Sequence, residues 1–283
     1  MLLDIELPWV EINKQEIRPV NCLLCNLHYS RAVGSIVINK NEFYLVNCEK
    51  DDLFWMNPQP GMTFLNTLYS APYYEVDKYG SEMFLQVGTK EIKEADRERR
   101  IEVARKQIQE WNDLEIFPIE RKKRILEIGG RKSYIQKVAT QDDWETTDIE
   151  ASLYNIEEGI KNGFNIIPKP IEEITSIESK YFDLAVIYDF IEHTQNPIRI
   201  IRMVKEGLKD HGYFIVRAPD TDKEIPKLHL VDHLWHFSQK ALENLLKREG
   251  FEILKSFESG VFPQNIANRD KMVHKTFFTR KCK

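Results

Sequence analysis

Between residues 124 and 219, short β-branched runs alternate with longer polar stretches that favour helix, and this rhythm most constrains the fold. The runs are RILEIG (124–129), WETTDIE (144–150), FNIIP (164–168), FDLAVIYD (182–189) and GYFIVRAP (212–219). SLYNIEEGIKNG and PIRIIRMVKEGLKDHG lie between them. Strands that are apolar at nearly every position are buried on both faces. When helices separate them, they form a parallel sheet with right-handed crossovers. Further on, SQKALENLLKREG reads as an amphipathic helix ended by Gly250. FEILKSFES and KTFFTRK follow with no helical pattern between them, so they are expected to pair antiparallel. The expected fold is α/β, a Rossmann-like seven-stranded sheet of five parallel strands plus a C-terminal antiparallel hairpin.

Upstream the rhythm differs. Residues 20–60 alternate short apolar runs with turn-prone residues. SIVI and FYLV are strand candidates of a small N-terminal β-ribbon, which the Pro-rich NPQPG ends. From Thr89 to about Leu114, Ile101, Ala104, Ile108 and Trp111 recur at helical spacing among Glu, Lys and Arg. The DRERR run is the wet face of that helix.

Composition narrows the function classes. A net charge of −5 argues against a nucleic-acid partner, and RKKR at 121–124 reads as a solvated stretch before a buried strand. No apolar run approaches the roughly 20 residues of a membrane span. The N-terminus carries an acid at Asp4 and lacks a basic region followed by an apolar core, so a cytoplasmic location is the expectation. Of the four cysteines, Cys22, Cys25 and Cys48 cluster near the start, as thiols or metal ligands rather than a disulfide frame.

Four stretches carry a resemblance. ILEIGGRKS (125–133) has an acid and then a Gly-containing turn at a strand end, where a glycine lets backbone approach a ligand. WETTDIEAS (144–152) places Glu150, with Asp148 as runner-up, about 20 residues beyond that turn. FDLAVIYDFIEHTQNP (182–197) carries Asp183, Glu192, His193 and Pro197 in register. LVDHLWHFSQKAL (230–242) completes the set. Together they resemble class I S-adenosylmethionine-dependent methyltransferases of the small-molecule and sugar-modifying kind, from about Asn21 to the end.

The resemblance implies a set of roles. Glu127, Gly129, Gly130, Glu150, Tyr188, Asp189 and Tyr74 would bind S-adenosylmethionine, with Glu150 on the ribose hydroxyls and Glu127 near the methionine amine. Tyr74 belongs to a Tyr-rich lid with Tyr69, Tyr73 and Tyr79. His193, then His233 and His236, are the candidate catalytic bases for an oxygen acceptor. Their i, i+3 spacing puts His233 and His236 on one face only if this piece is helical. Arg131 and Ser133 stand where the family has glycines, and Arg131 could block the cofactor's carboxylate pocket or pair with that carboxylate.

NCLLC and CEKDDLFWMNPQP resemble the family's two-knuckle ribbon, with Asp51 in place of the fourth cysteine. Cys22, Cys25, Cys48 and Asp51 (or His28) would hold zinc; the alternative, a metal-free ribbon packed by Phe43, Leu45 and Trp55, is favoured by the missing thiol. The expected organisation is a degenerate zinc-ribbon-like segment over 1–62, a lid and linking helix over 63–118, and the methyltransferase domain over 119–283. The expected function is methyl transfer to a small-molecule acceptor, a sugar or biosynthetic intermediate. The alternative is a catalytically inactive methyltransferase fold acting as a binding or scaffold module. The absence of G-x-G-x-x-G and the terminal hairpin argue against a nicotinamide enzyme.

Overall fold

Residues 31–48 form the hairpin expected from SIVI and FYLV, but the sheet it belongs to is larger than a two-stranded ribbon. In this computed structural model, which describes residues 2–5, 10–27, 31–68, 90–113, 122–130, 133–221, 232–259 and 273–282, β1 (Leu2–Ile5) pairs parallel with β2 (Arg31–Ile38). Strand β2 pairs antiparallel with β3 (Asn41–Cys48), and β3 with β4 (Leu53–Asn57). The β2–β3 turn puts both Asn39 (φ 46°) and Lys40 (φ 64°) in the left-handed region, as a two-residue hairpin of this hand requires. Phe43, Leu45, Leu53 and Trp55 are buried in it. LFWMN was not read as a strand because the Pro-rich turn directly after it masked the pattern. A short helix, α1 (Met62–Leu68), follows, and the long α2 (Lys90–Asp113) buries Ala104, Ile108 and Trp111 as the spacing implied.

The alternating region then builds β5 (Lys123–Ile128), α3 (Tyr134–Ala139), β6 (Trp144–Glu150), α4 (Leu153–Lys161), β7 (Ile166–Pro168) and β8 (Phe182–Tyr188). After it come α5 (Pro197–Gly207), β9 (Leu208–Pro219), β10 (Trp235–Phe237), α6 (Gln239–Arg248), β11 (Phe251–Ser259) and β12 (His274–Lys281). The seven-stranded sheet has the order β11-β12-β9-β8-β5-β6-β7. Strand β5 pairs parallel with both β6 and β8, β6 pairs parallel with β7, and β11 pairs antiparallel with β12. The last strand thus lies between the fifth strand and its own hairpin partner, as the expected fold requires. Because the chain leaves β5 towards β6 and returns on the other side as β8, the carboxyl end of β5 is a topological switch point, where such sheets bind ligands.

One boundary moved. Residues 208–212, expected to finish a helix, begin β9 instead. Gly207 lies so close to Ile177 that a Cβ would meet its Cδ1 at 2.3 Å, and the helix stops there.

The chain divides into two compact units, Met1–Leu68 with Asp189–Arg202 and Ile215–Lys283, and Tyr69–Tyr188 with Met203–Phe214. The N-terminal sheet draws its fifth strand, β10, from far along the sequence, where Trp235 pairs with Trp55 and Phe237 with Leu53. The two indole rings stack at 6.3 Å. None of the described helices is long and apolar enough to cross a membrane.

Candidate cofactor cradle and histidine cluster

Strands β5 and β6 run in a register that sets Glu127 opposite Asp148. Side chains alternate along a strand, so Glu127, Asp148 and Glu150 share one face at the strand ends. All three are buried. Gly129 follows with φ 72° and donates its N–H to Ile149 O at 2.9 Å. Gly130 donates to Asp148 Oδ1 at 3.2 Å; a Cβ on it would lie 2.7 Å from Glu127 Cδ and 2.8 Å from Asp148 Oδ2. Only glycine fits there.

Ser133, one of the two departures in the turn, keeps a glycine-like backbone with φ 52°. It is fully buried, donates its N–H to Gly130 O at 3.0 Å and stands at the N-cap position of α3 without a side-chain capping bond. A serine thus takes the left-handed conformation at 133, against a cost of about 1–2 kcal/mol. Arg131, the other departure, lies outside the described residues, as do Tyr69, Tyr73, Tyr74, Tyr79 and His28.

The three carboxyls perturb one another. Burial, then the charge of Glu150, pushes Glu127 up to about 8. Asp148 is raised well above the usual carboxylate range by burial, then by Glu127 and Glu150, with the Gly130 N–H pulling the other way. Glu127 Oε2 and Asp148 Oδ2 have no hydrogen-bond partner among the described residues. Glu150 Oε1 accepts from Ala151 N at 2.9 Å and Ser152 N at 2.8 Å, which fixes its rotamer. Leaving a buried polar atom unpaired costs about 1–3 kcal/mol, so the arrangement suits a ligand that brings hydroxyl or ammonium donors.

Tyr188 ends β8 at the same edge, since Ile187 is in register with Ile128 of β5. Asp189 follows with φ 51°, and its carboxylate accepts from Arg217 Nε at 3.0 Å and stands 3.6 Å from His274 Nε2. An Asp already held by a guanidinium is a less open ligand group than the sequence suggested.

A second polar cluster is buried in the other unit. His193 Nδ1 lies 2.9 Å from Asp232 O and 3.4 Å from Asp232 Oδ2, while its Nε2 lies 3.9 Å from Glu192 Oε1. The His193 and His233 rings are 4.7 Å apart, and those of His233 and His236 are 5.8 Å apart. The segment is not helical: His236 sits in β10. The helical spacing argument fails, yet the rings converge. Main-chain bonds from Leu234 N and Trp235 N to Glu192 O, and from Trp235 Nε1 to Thr194 O at 2.9 Å, hold the two segments together. Burial, then the charge of His193, lowers His236 to about 4, so it is neutral at pH 7. Glu192 is raised by burial and by Asp189.

The cysteines converge as well. Cys22 Sγ and Cys48 Sγ each lie 3.3 Å from Asp51 Oδ2, and Cys25 Sγ lies 3.6 Å from Cys48 Sγ. Tetrahedral ligands at 2.0–2.3 Å from one ion are about 3.3–3.8 Å apart, so the set fits a zinc ion. Burial raises the Cys22 and Cys48 thiols. Burial alone would raise Asp51, but hydrogen bonds from the three thiols hold it below its ordinary value.

Sequence reading ranked Asp148 behind Glu150 and passed over Glu192 and Asp232 as site residues. The signal was present for the latter two: each is an acid immediately preceding a histidine of the cluster, Glu192–His193 and Asp232–His233.

The chain shares its fold with a SAM-dependent methyltransferase from Archaeoglobus fulgidus, at 14% identity over 64% of this chain and 94% of that one, with a TM-score of 0.51. A protein from Listeria monocytogenes, assigned as an S-adenosylmethionine-dependent methyltransferase, aligns at 15% identity over 62% of this chain and 100% of the other, with a TM-score of 0.50. No curated protein matches the chain with significant sequence similarity. The methyltransferase domain family matches residues 97–256, more than half of the sequence, from within α2 into β11. The expected cofactor, S-adenosylmethionine, agrees with both findings. By that match the chain belongs to the methyltransferase domain family.

Proposed function

We propose that this protein transfers a methyl group from S-adenosylmethionine to a small-molecule acceptor, a sugar or biosynthetic intermediate. The observation that carries the reading is the carboxyl cluster at the switch point: Glu127, Asp148 and Glu150 buried together, two of them with an unpaired oxygen. S-adenosylmethionine has the donors such a cluster lacks, a ribose diol and an ammonium. Glu150, fixed by Ala151 and Ser152, would take the diol; Glu127 would take the ammonium. Gly129 and Gly130 would let the backbone approach, and Tyr188 and Asp189 would border the methionine end.

The cofactor, when bound, supplies an electrophilic methyl on its sulfonium. The protein's work is alignment and exclusion of water. For an oxygen acceptor, His193 is the proposed base, with His233 and His236 next. The test is to incubate the purified chain with methyl-labelled S-adenosylmethionine and a panel of sugars and small metabolites. Label transfer to one acceptor, lost in Glu150→Ala, supports the reading. Cofactor binding without transfer to any acceptor favours the binding-module alternative.

We also propose that Cys22, Cys25, Cys48 and Asp51 hold a structural zinc. The convergence of their four donor atoms supports this over a ribbon packed by apolar residues alone.

A further inference from the structure

Glu192 is an unusual group to bury. Its residue is 1% exposed, it sits beside two histidines, and neither carboxylate oxygen has a hydrogen-bond partner among the described residues. Burial and then Asp189 raise its carboxyl well above the ordinary range, against its own backbone N–H and the charge of Arg217, and a cation held beside it would offset the cost of ionising it. The ligand atoms of Glu192, His193 and His233 all lie within 4.8 Å of one another, and all three residues are buried.

The tautomer of His193 is settled by its partner. Asp232 O can only accept, so Nδ1, at 2.9 Å, carries the proton, and in the neutral ring Nε2 carries the lone pair. That Nε2 faces Glu192 Oε1 at 3.9 Å, too far for a hydrogen bond. Two ligands bound at about 2.1 Å to one ion stand roughly 3–4 Å apart, so this separation suits an ion between them. A backbone carbonyl on the distal ring nitrogen is also the usual means of orienting a metal-bound histidine. The carboxylate of Asp232, 3.4 Å from the same Nδ1, adds to that support.

We infer that Glu192, His193 and His233 form a binding site for a divalent first-row metal ion, separate from the cysteine cluster. One carboxylate and two imidazoles suit zinc, iron, cobalt or manganese rather than copper(I). Three protein ligands leave a coordination position for water or for an oxygen-bearing acceptor. A bound ion takes the lone pairs of His193 and His233 and so replaces their proposed role as bases; the site holds whether or not the chain transfers methyl groups.

Cobalt(II) titration of the chelator-stripped full-length protein, followed by absorption, separates the two clusters. Sulfur ligands give a thiolate-to-cobalt charge-transfer band; the Glu/His site gives weaker d–d bands without it. We expect one equivalent of each kind. Glu192→Gln and His233→Gln should each weaken the second equivalent by at least about 100-fold, beyond the 10- to 100-fold typical of losing a second-shell partner, and leave the first unchanged. Absence of a second equivalent in the wild-type protein overturns the inference, as does a second equivalent of unchanged affinity in both variants. If circular dichroism shows that the variants do not fold, X-ray absorption on the wild-type cobalt protein decides. Imidazole scattering on a sulfur-free cobalt supports the site, and its absence overturns it.

Discussion

The backbone N–H of Gly130 donates to Asp148 Oδ1 at 3.2 Å, and the second oxygen, Oδ2, stands 2.8 Å from where a Cβ on residue 130 would be. The glycine and the aspartate are thus fitted to each other across the β5–β6 strand ends, with Glu127 against the same spot. Gly130→Ala is expected to destabilise the fold by about 1–3 kcal/mol, the usual cost of an overpacked site. Combined with Asp148→Gly, the same substitution should cost distinctly less. Urea unfolding of the two single variants and the double variant measures the coupling. Additive costs would mean that the contact does not matter.

The stability of the cradle depends on pH in a definite direction. Glu127 is pushed up to about 8 in the folded protein, first by burial and then by Glu150. An unfolded Glu titrates near 4.3, so between about 4.3 and 8 the folded state holds a proton the unfolded chain has released. Stability from this group is full below that window and is lost as pH rises through 8. Asp148 acts in the same sense. Glu127→Gln is therefore expected to melt at a higher temperature than wild type at pH 8.5 and at a similar temperature at pH 4.5. Parallel melting curves across that range would contradict the assignment.

Much of this architecture is legible in the sequence, because short runs rich in apolar and β-branched residues alternate with longer helix-favouring stretches. RILEIG, WETTDIE and FDLAVIYD became β5, β6 and β8 with ends shifted by a residue or two at most. Strand β10 was not legible, since three residues, WHF, carry no period of their own and become a strand only by pairing with β4. The same holds for the histidine cluster. His193 and His233 are 40 positions apart, and they are brought together by bonds between the two segments: Leu234 N and Trp235 N to Glu192 O, Trp235 Nε1 to Thr194 O, and His193 Nδ1 to Asp232 O. The juxtaposition of Glu127, Asp148 and Glu150 was easier to foresee, because neighbouring strands in a parallel pair put their ends side by side. The substitution of serine for glycine at 133 looked like damage to the turn, yet the backbone there has φ 52° all the same.

The cysteine cluster predicts a metal with sulfur ligands. Purified protein is expected to carry zinc with Zn–S distances of about 2.3 Å by X-ray absorption. Cys48→Ser should lose that sulfur-bound zinc and lower the melting temperature, because ligand donors converge only in the folded chain. A wild-type protein that stays free of sulfur-bound zinc after zinc loading would contradict the site.

Arg248 links α6 to the first cysteine knuckle. It donates to Leu24 O at 2.7 Å and Leu23 O at 3.2 Å, between Cys22 and Cys25, and its Nε lies 3.2 Å from Glu249 Oε1. Arg248→Ala is expected to cost about 1–3 kcal/mol and to speed zinc loss to a chelator. Lys247→Ala, which removes only a surface pair with Glu243, should do neither. Equal rates of zinc release from the two variants would show that the arginine does not hold the knuckle.

The central claim is that the carboxyl cradle at the ends of β5 and β6 binds S-adenosylmethionine. Isothermal titration of the purified protein with S-adenosylmethionine and S-adenosylhomocysteine, repeated with Glu150→Ala, tests it most directly. The account predicts saturable binding of both ligands by the wild-type protein and its loss, by at least about 100-fold, in a variant that still folds. No binding to well-folded wild-type protein, or binding indifferent to Glu150, would contradict it.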